Sequence, residues 1–208
     1  MKIKVFITHP MERKANKTKK NIVHVAKRLF TEISVNNATM NDIADAAKVS
    51  RRTLYMHFKN KDEIYKGVVE NEVQTIIEKL QNVADSNLTP DRKLKLYILA
   101  RFNVIDKLVR QNKYLRYDFI FNTRKVSYQR KLIDKRERII LERILQQGKA
   151  QGIFYISDPS TLANTLLIMC KSLEQPYIIL SDRQRSYQSL IEYVNLLFNG
   201  ILNNNSRY

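Results

Sequence analysis

The chain has 208 residues, 37 of them basic and 20 acidic, for a formal charge of +17. Four glycines and four prolines are too few for the turns of a β-sandwich or for a glycine-rich phosphate loop. A single cysteine excludes an intrachain disulfide and a cysteine-rich zinc site. So large a basic surplus points to a polyanionic partner, either nucleic acid or an anionic membrane surface.

The opening, Met1 to Pro10, starts like a signal peptide, but its apolar stretch is short and no small-residue cleavage site follows, so export is not expected. Met11 stands before a basic arm, and either a misassigned start or an extension accounts for the residues ahead of it. Lys14 to Lys20 is polar and lysine-rich, and residues 1–17 read as a flexible basic extension. Ile22, Val25, Ala26, Leu29, Phe30 and Ile33 then repeat at helical spacing, predicting an amphipathic helix that ends near Glu32. Thr39 followed by Asp42 approximates a capping box for a short second helix with Ile43, Ala44 and Ala47 inside. Ser50 caps a third short helix, and Asn60 with Glu63 starts a long fourth one from Lys61 to about Ala84.

Ser86-Asn87-Leu88-Thr89-Pro90 is a boundary, with Pro90 fit for a first helical position. Beyond it, helices are predicted near 90–109, 113–122, 125–150, 158–175 and 183–203, with Gly152 ending one and Asp158-Pro159 opening the next. No sustained two-residue alternation argues for a sheet. The expected class is all-α, about nine helices: a three-helix DNA-binding head over 18–64, then a helical domain over 65–208. No apolar run is long enough to cross a membrane. Cys170, among apolar residues, reads as a buried inert thiol in a reducing cytoplasm.

Charge is uneven. Residues 1–60 are net +9, 61–90 net −3, 91–152 net +11 and 153–208 neutral. Residues 39–57 have the spacing of a helix-turn-helix, whose second helix enters the major groove and meets base edges and phosphates with its N-terminal residues. Those residues are Ser50, Arg51, Arg52 and Thr53, and arginine can grip guanine or phosphate with two parallel hydrogen bonds.

The run from Thr39 to Ile64, and above all Leu54-Tyr55-Met56-His57-Phe58-Lys59-Asn60-Lys61, resembles the DNA-binding segment of the TetR family of repressors, and Ile22 to Phe30 resembles its first helix. The resemblance covers residues 20–68. It implies that Thr39 offers its hydroxyl and N–H to a phosphate, that Ser50 and Thr53 contact phosphates or bases, and that Tyr55, His57 and Lys61 bind the backbone. Met40 and Met56 lie in the same contact surface, and Phe58 anchors the core. The chain departs from the family pattern at Ser34, Lys48 and Arg52, where glycine is common. Lys48 is expected at positive φ, and Arg52 either alters docking or sets specificity.

For the remainder the resemblance implies an effector cavity walled by the middle helices and a homodimer through the last two. Leu162, Leu166, Met169, Leu173, Leu190, Val194, Leu197 and Ile201 supply apolar faces for such an interface. Phe102, Tyr114, Tyr117, Phe119, Phe121, Tyr128 and Phe154 either line a cavity or form ordinary core. The +11 region argues against a cationic effector and is compatible with a neutral or anionic one. No enzyme motif, cofactor fingerprint or metal-ligand spacing occurs, and no membrane partner is expected. The expected function is a regulator binding a pseudo-palindromic double-stranded DNA operator, with a sequence-nonspecific basic nucleic-acid binder as the alternative.

Overall fold

The structure, a computed structural model, describes residues 10–111, 127–179 and 183–201. These contain eight helices and no strand: α1 (Pro10–Ile33), α2 (Met40–Ala46), α3 (Arg51–His57), α4 (Lys61–Ala84), α5 (Pro90–Gln111), α6 (Ser127–Ala150), α7 (Pro159–Ile179) and α8 (Arg183–Ile201). The helix predicted near 113–122 lies outside the described residues. Two compact units divide in sequence between Asn71 and Glu72, inside α4 and beyond the boundary expected after residue 64. No helix among the described residues is long and apolar enough to cross a membrane.

In the first unit, α1 packs on α2 and α2 on α3. Ile22, Ala26 and Phe30 of α1, Ile43, Ala44 and Ala47 around α2, and Leu54 and Phe58 around α3 are all buried. The segment Lys14–Lys20, expected as an arm, is instead helical, because α1 begins at Pro10. Proline suits a first helical turn, and no glycine interrupts the residues that follow.

Both backbone departures have a structural counterpart. Ser34 ends α1 at φ 77° and Lys48 forms the turn between α2 and α3 at φ 54°, the left-handed region that glycine enters most easily. Ser34 is partly compensated, since its hydroxyl accepts the Asn37 N–H at 3.3 Å. The turn at Lys48 is held by Val49 N–H donating to the Ala44 carbonyl at 3.0 Å and by the Asn21 side chain donating to the Ala47 carbonyl at 3.2 Å.

In the second unit, α5 packs on α6, α7 and α8, and α6 packs on α7. Leu94, Ile98 and Phe102 of α5 fill the centre with Ile140, Leu141, Ile144 and Leu145 of α6 and Ala163 and Leu166 of α7. Gly148 is needed by close approach, since a Cβ there would overlap the buried Phe154 ring. Gly152, at φ 68°, turns the chain out of α6 as expected. Burial pushes the Cys170 thiol up to about 11, in keeping with an inert core position.

The strained turn is testable. Lys48→Gly relieves the left-handed cost of a β-carbon, less the extra freedom glycine gains in the unfolded chain. Urea denaturation is expected to show a gain of about 1 kcal/mol in the variant.

Candidate nucleic-acid interface

The candidate interface is built on a helix of only seven residues. Its one buried side chain, Leu54, belongs to the same buried core as Ile43 and Ala44 of α2, with Phe58 buried just beyond its end. At 100° per residue, Arg52 and Met56 then project opposite Leu54, and Tyr55 and Thr53 flank them. Tyr55 is 53% exposed and Met56 76%, unusual values for large side chains so close to a core.

The caps hold this geometry and also use up donors. The Ser50 hydroxyl accepts the Thr53 N–H at 3.1 Å and lies 2.8 Å from the Thr53 hydroxyl. At α2 the capping box is complete: Thr39 Oγ1 accepts the Asp42 N–H at 3.2 Å, and the Asp42 carboxylate accepts the Thr39 N–H at 2.9 Å. The Thr39 hydroxyl also donates to Asp42, at 2.8 Å. Both Thr39 donors expected to meet phosphate therefore already serve the Asp42 carboxylate. The Thr39 side-chain bond and then its backbone N–H hold the Asp42 carboxyl below its usual value, so it stays ionised at neutral pH. The cap's contribution is full above the ordinary value of 3.8 and is lost as pH falls through the lower folded one.

Lys61 is similarly engaged. Its ammonium donates to the Asn36 carbonyl at 3.1 Å and the Ala38 carbonyl at 2.8 Å, tying the start of α4 to the loop before α2 and leaving one donor of three. At α4 the predicted cap is half as drawn: Asn60 accepts the Glu63 N–H at 3.0 Å, but the Glu63 carboxylate takes the Lys59 N–H, one residue earlier than a capping box requires. By contrast Arg51, Arg52, Tyr55 and His57 have no hydrogen-bond or ionic partner among the described residues. Met40 is half-buried beside Thr39. One surface thus carries two free guanidiniums, a phenol and an imidazole.

Residues 22–68 match the family model described as bacterial regulatory proteins, tetR family. That segment, under a quarter of the chain, is what is similar to the TetR family. It is 26% identical over 144 residues to the HTH-type transcriptional repressor KstR2 of Mycolicibacterium smegmatis, covering 64% of this chain and 65% of that one. It is 31% identical over 108 residues to the probable acrEF/envCD operon repressor of Escherichia coli, covering 49% and 47%. The matches thus span less than two thirds of these curated relatives. A transcriptional regulator from Cytophaga hutchinsonii shares the fold at TM-score 0.74 and 20% identity, with 88% of this chain and 97% of that one covered. The TetR-type head and helical second unit agree with the all-α class expected.

The residues expected around an effector are dispersed. Phe102 is buried in the core and so is Phe154, whereas Tyr128 is 64% exposed and stands outside the packed interior. Tyr114, Tyr117, Phe119 and Phe121 lie outside the described residues. Of the residues expected at a dimer interface, Leu166, Leu190 and Val194 are buried within the single chain, and Leu162, Met169, Leu173 and Leu197 are half-buried. Nothing is described of the Ile201 side chain. The apolar side chains that α7 and α8 leave most exposed are Ile168, at 65%, and Leu196, at 72%. Neither was singled out in the sequence, because apolar runs do not show which members of a helix face inward.

Sequence reasoning also missed the polar centre of the second unit. Arg101 of α5 is 2% exposed. Its Nε donates to Glu137 of α6 at 2.7 Å and its Nη2 reaches Glu174 of α7 at 2.5 Å. Tyr97 donates to Glu137 at 3.3 Å, and Arg130 pairs with Glu174 at 2.9 Å. Burial raises the Glu137 carboxyl, and Arg101 beside it pulls the other way. Arg101 Nη1, Gln129 Oε1 and the Tyr193 hydroxyl are buried without a hydrogen-bond partner. Charged side chains of the +11 region are therefore partly internal. Among the described residues no group of three or more His, Cys, Asp or Glu is placed to hold a metal.

Removing one member of a buried pair leaves an uncompensated charge. Arg101→Met strands Glu137 and Glu174, and urea denaturation is expected to show a loss of about 3–5 kcal/mol. The exposed control Lys131→Met should stay within about 0.5 kcal/mol.

Proposed function

We propose that the protein is a sequence-specific, DNA-binding transcriptional repressor whose hold on a pseudo-palindromic operator is released by a small-molecule effector. The observation that carries this reading is the surface of α3, where Arg52 and Tyr55 project away from the core and Arg51 and His57 stand to either side of the buried Leu54, all four unpaired among the described residues. Such a face suits the major groove, with arginine and the ring donors reading bases and phosphates. The relatives named as repressors support the sign of regulation. The reaction is binding alone, without cofactor or catalysis, and its setting is the cytoplasm.

The operator's symmetry follows from a homodimer formed through α7 and α8. Ile168 and Leu196, exposed on those helices, are the side chains we assign to the contact. The effector is neutral or anionic and binds in the second unit. Arg101, Arg130, Glu137 and Glu174 balance one another in charge, so the regional surplus does not call for an anion. The Arg101 nitrogen left without a partner calls for an acceptor oxygen, which a carbonyl, hydroxyl or carboxylate supplies and an ammonium does not. Because α4 runs unbroken from Lys61 into the second unit, an effector that prefers one placement of α4 shifts the spacing of the two α3 helices. Half-sites must lie about one DNA turn or a multiple apart.

Selection of bound duplexes from a random DNA pool at physiological salt tests this reading. The wild type is expected to recover a pseudo-palindrome, which an Arg51→Ala, Tyr55→Phe, His57→Ala variant loses. Leu196→Glu is expected to recover half-sites weakly or not at all. Uniform recovery of all sequences by the wild type would favour a sequence-nonspecific nucleic-acid binder.

A further inference from the structure

The head carries a second basic surface that the helix-turn-helix does not use. Lys17, Lys20, His24 and Arg28 follow one another on α1 at spacings of three or four and are all exposed. At 100° per residue they fall on one stripe, opposite the buried Ile22, Ala26 and Phe30. The stripe is about 16 Å long at 1.5 Å per residue, the axial length of roughly five base pairs.

None of these four side chains has an ionic partner among the described residues. In the second unit, by comparison, Arg101, Arg110, Arg130, Arg138 and Arg143 each pair with a carboxylate, while exposed lysines such as Lys107, Lys131 and Lys135 are divided between α5 and α6 and do not form one row. Lys17 and Lys20, like charges three apart on the helix, repel by about 0.2–0.5 kcal/mol. Packing does not require the first turns of α1 either, since Ile22 is the first core residue of the helix among those whose side chains are described. Nearby, Lys20 and His24 line an open groove of about 580 Å³ with Asn16, Lys19 and Glu70, so a single carboxylate borders that stretch.

We propose that this stripe is a sequence-independent contact for the phosphate backbone of duplex DNA, separate from the α3 face. The unpaired cations Lys17, Lys20 and Arg28 gain counterion release from a polyanion whichever bases it carries, and His24 adds a ring donor between them. The partner is thus the same class of molecule as in the reading above, but the contact needs no operator.

The test measures fluorescence anisotropy against salt concentration, using a mixed-sequence 30-base-pair duplex and any motif duplex recovered by selection. Lys17→Gln, Lys20→Gln, Arg28→Gln together are compared with Lys107→Gln, Lys131→Gln, Lys135→Gln, an exposed triple in the second unit with the same charge change. Circular dichroism checks that both remain helical. The head triple is expected to lower the slope of log affinity against log salt by about 5 per bound dimer on both duplexes, from three contacts in each protomer at about 0.9 per phosphate contact, with motif preference retained. The control triple should leave the slope unchanged. Equal losses in both triples, or no loss in the head triple, would overturn the proposal. Failure of the regulator reading would appear separately, as a wild type without motif preference.

Discussion

Burial of Leu54 is the constraint on which the interface depends. A seven-residue helix has too few turns to be stable alone, so its existence and its rotation both come from Leu54, the side chain it buries in the core of the head. Once that contact sets the rotation, Arg52 and Met56 can only face outward and Tyr55 can only flank them. The caps at Thr39 and Ser50 fix the starts of the two helices, and the left-handed Lys48 sets the turn between them. Phe58, buried at the far end, joins the same core to the helix that leads into the second unit.

Charge is managed differently in the two units. In the second, several arginines are matched by carboxylates, and the pairs of Arg101 with Glu137 and Glu174 cross three helices in the core. Such pairs seldom add stability over an apolar core, because desolvation offsets much of the attraction. They do tie α5, α6 and α7 to one register, since any slip would strand a charge. In the head the surplus stays at the surface, on α3 and along α1, where a polyanion can neutralise it.

Much of this was legible in the sequence because the signals were local. The caps at Thr39, Ser50 and Asp158, the boundary at Pro90 and the positive φ at Lys48 each depend on residues a few positions apart. The α3 residues are legible from their place at the start of the second helix and from the resemblance, and the buried Leu54 sets which way each projects. Long-range facts were not legible. Nothing in the pattern around Arg101 announces that carboxylates 36 residues away in α6 and further on in α7 will meet it. Likewise the leucines of α7 and α8 alternate between core and surface according to how α5 packs on them, which left Leu166, Leu190 and Val194 indistinguishable from Leu196. The lysines before Ile22 looked like an arm because they lack apolar partners, yet they continue α1.

The central claim is that the outer face of α3 is what touches DNA. Site-directed photocrosslinking tests it most directly, with benzoylphenylalanine placed in turn at Met56 and at Tyr155, whose exposures of 76% and 83% make them equally accessible. Irradiation with a labelled duplex is expected to join DNA to the protein labelled at position 56 and not to the one labelled at 155. Crosslinking at 155 alone, or equally at both, would contradict the account.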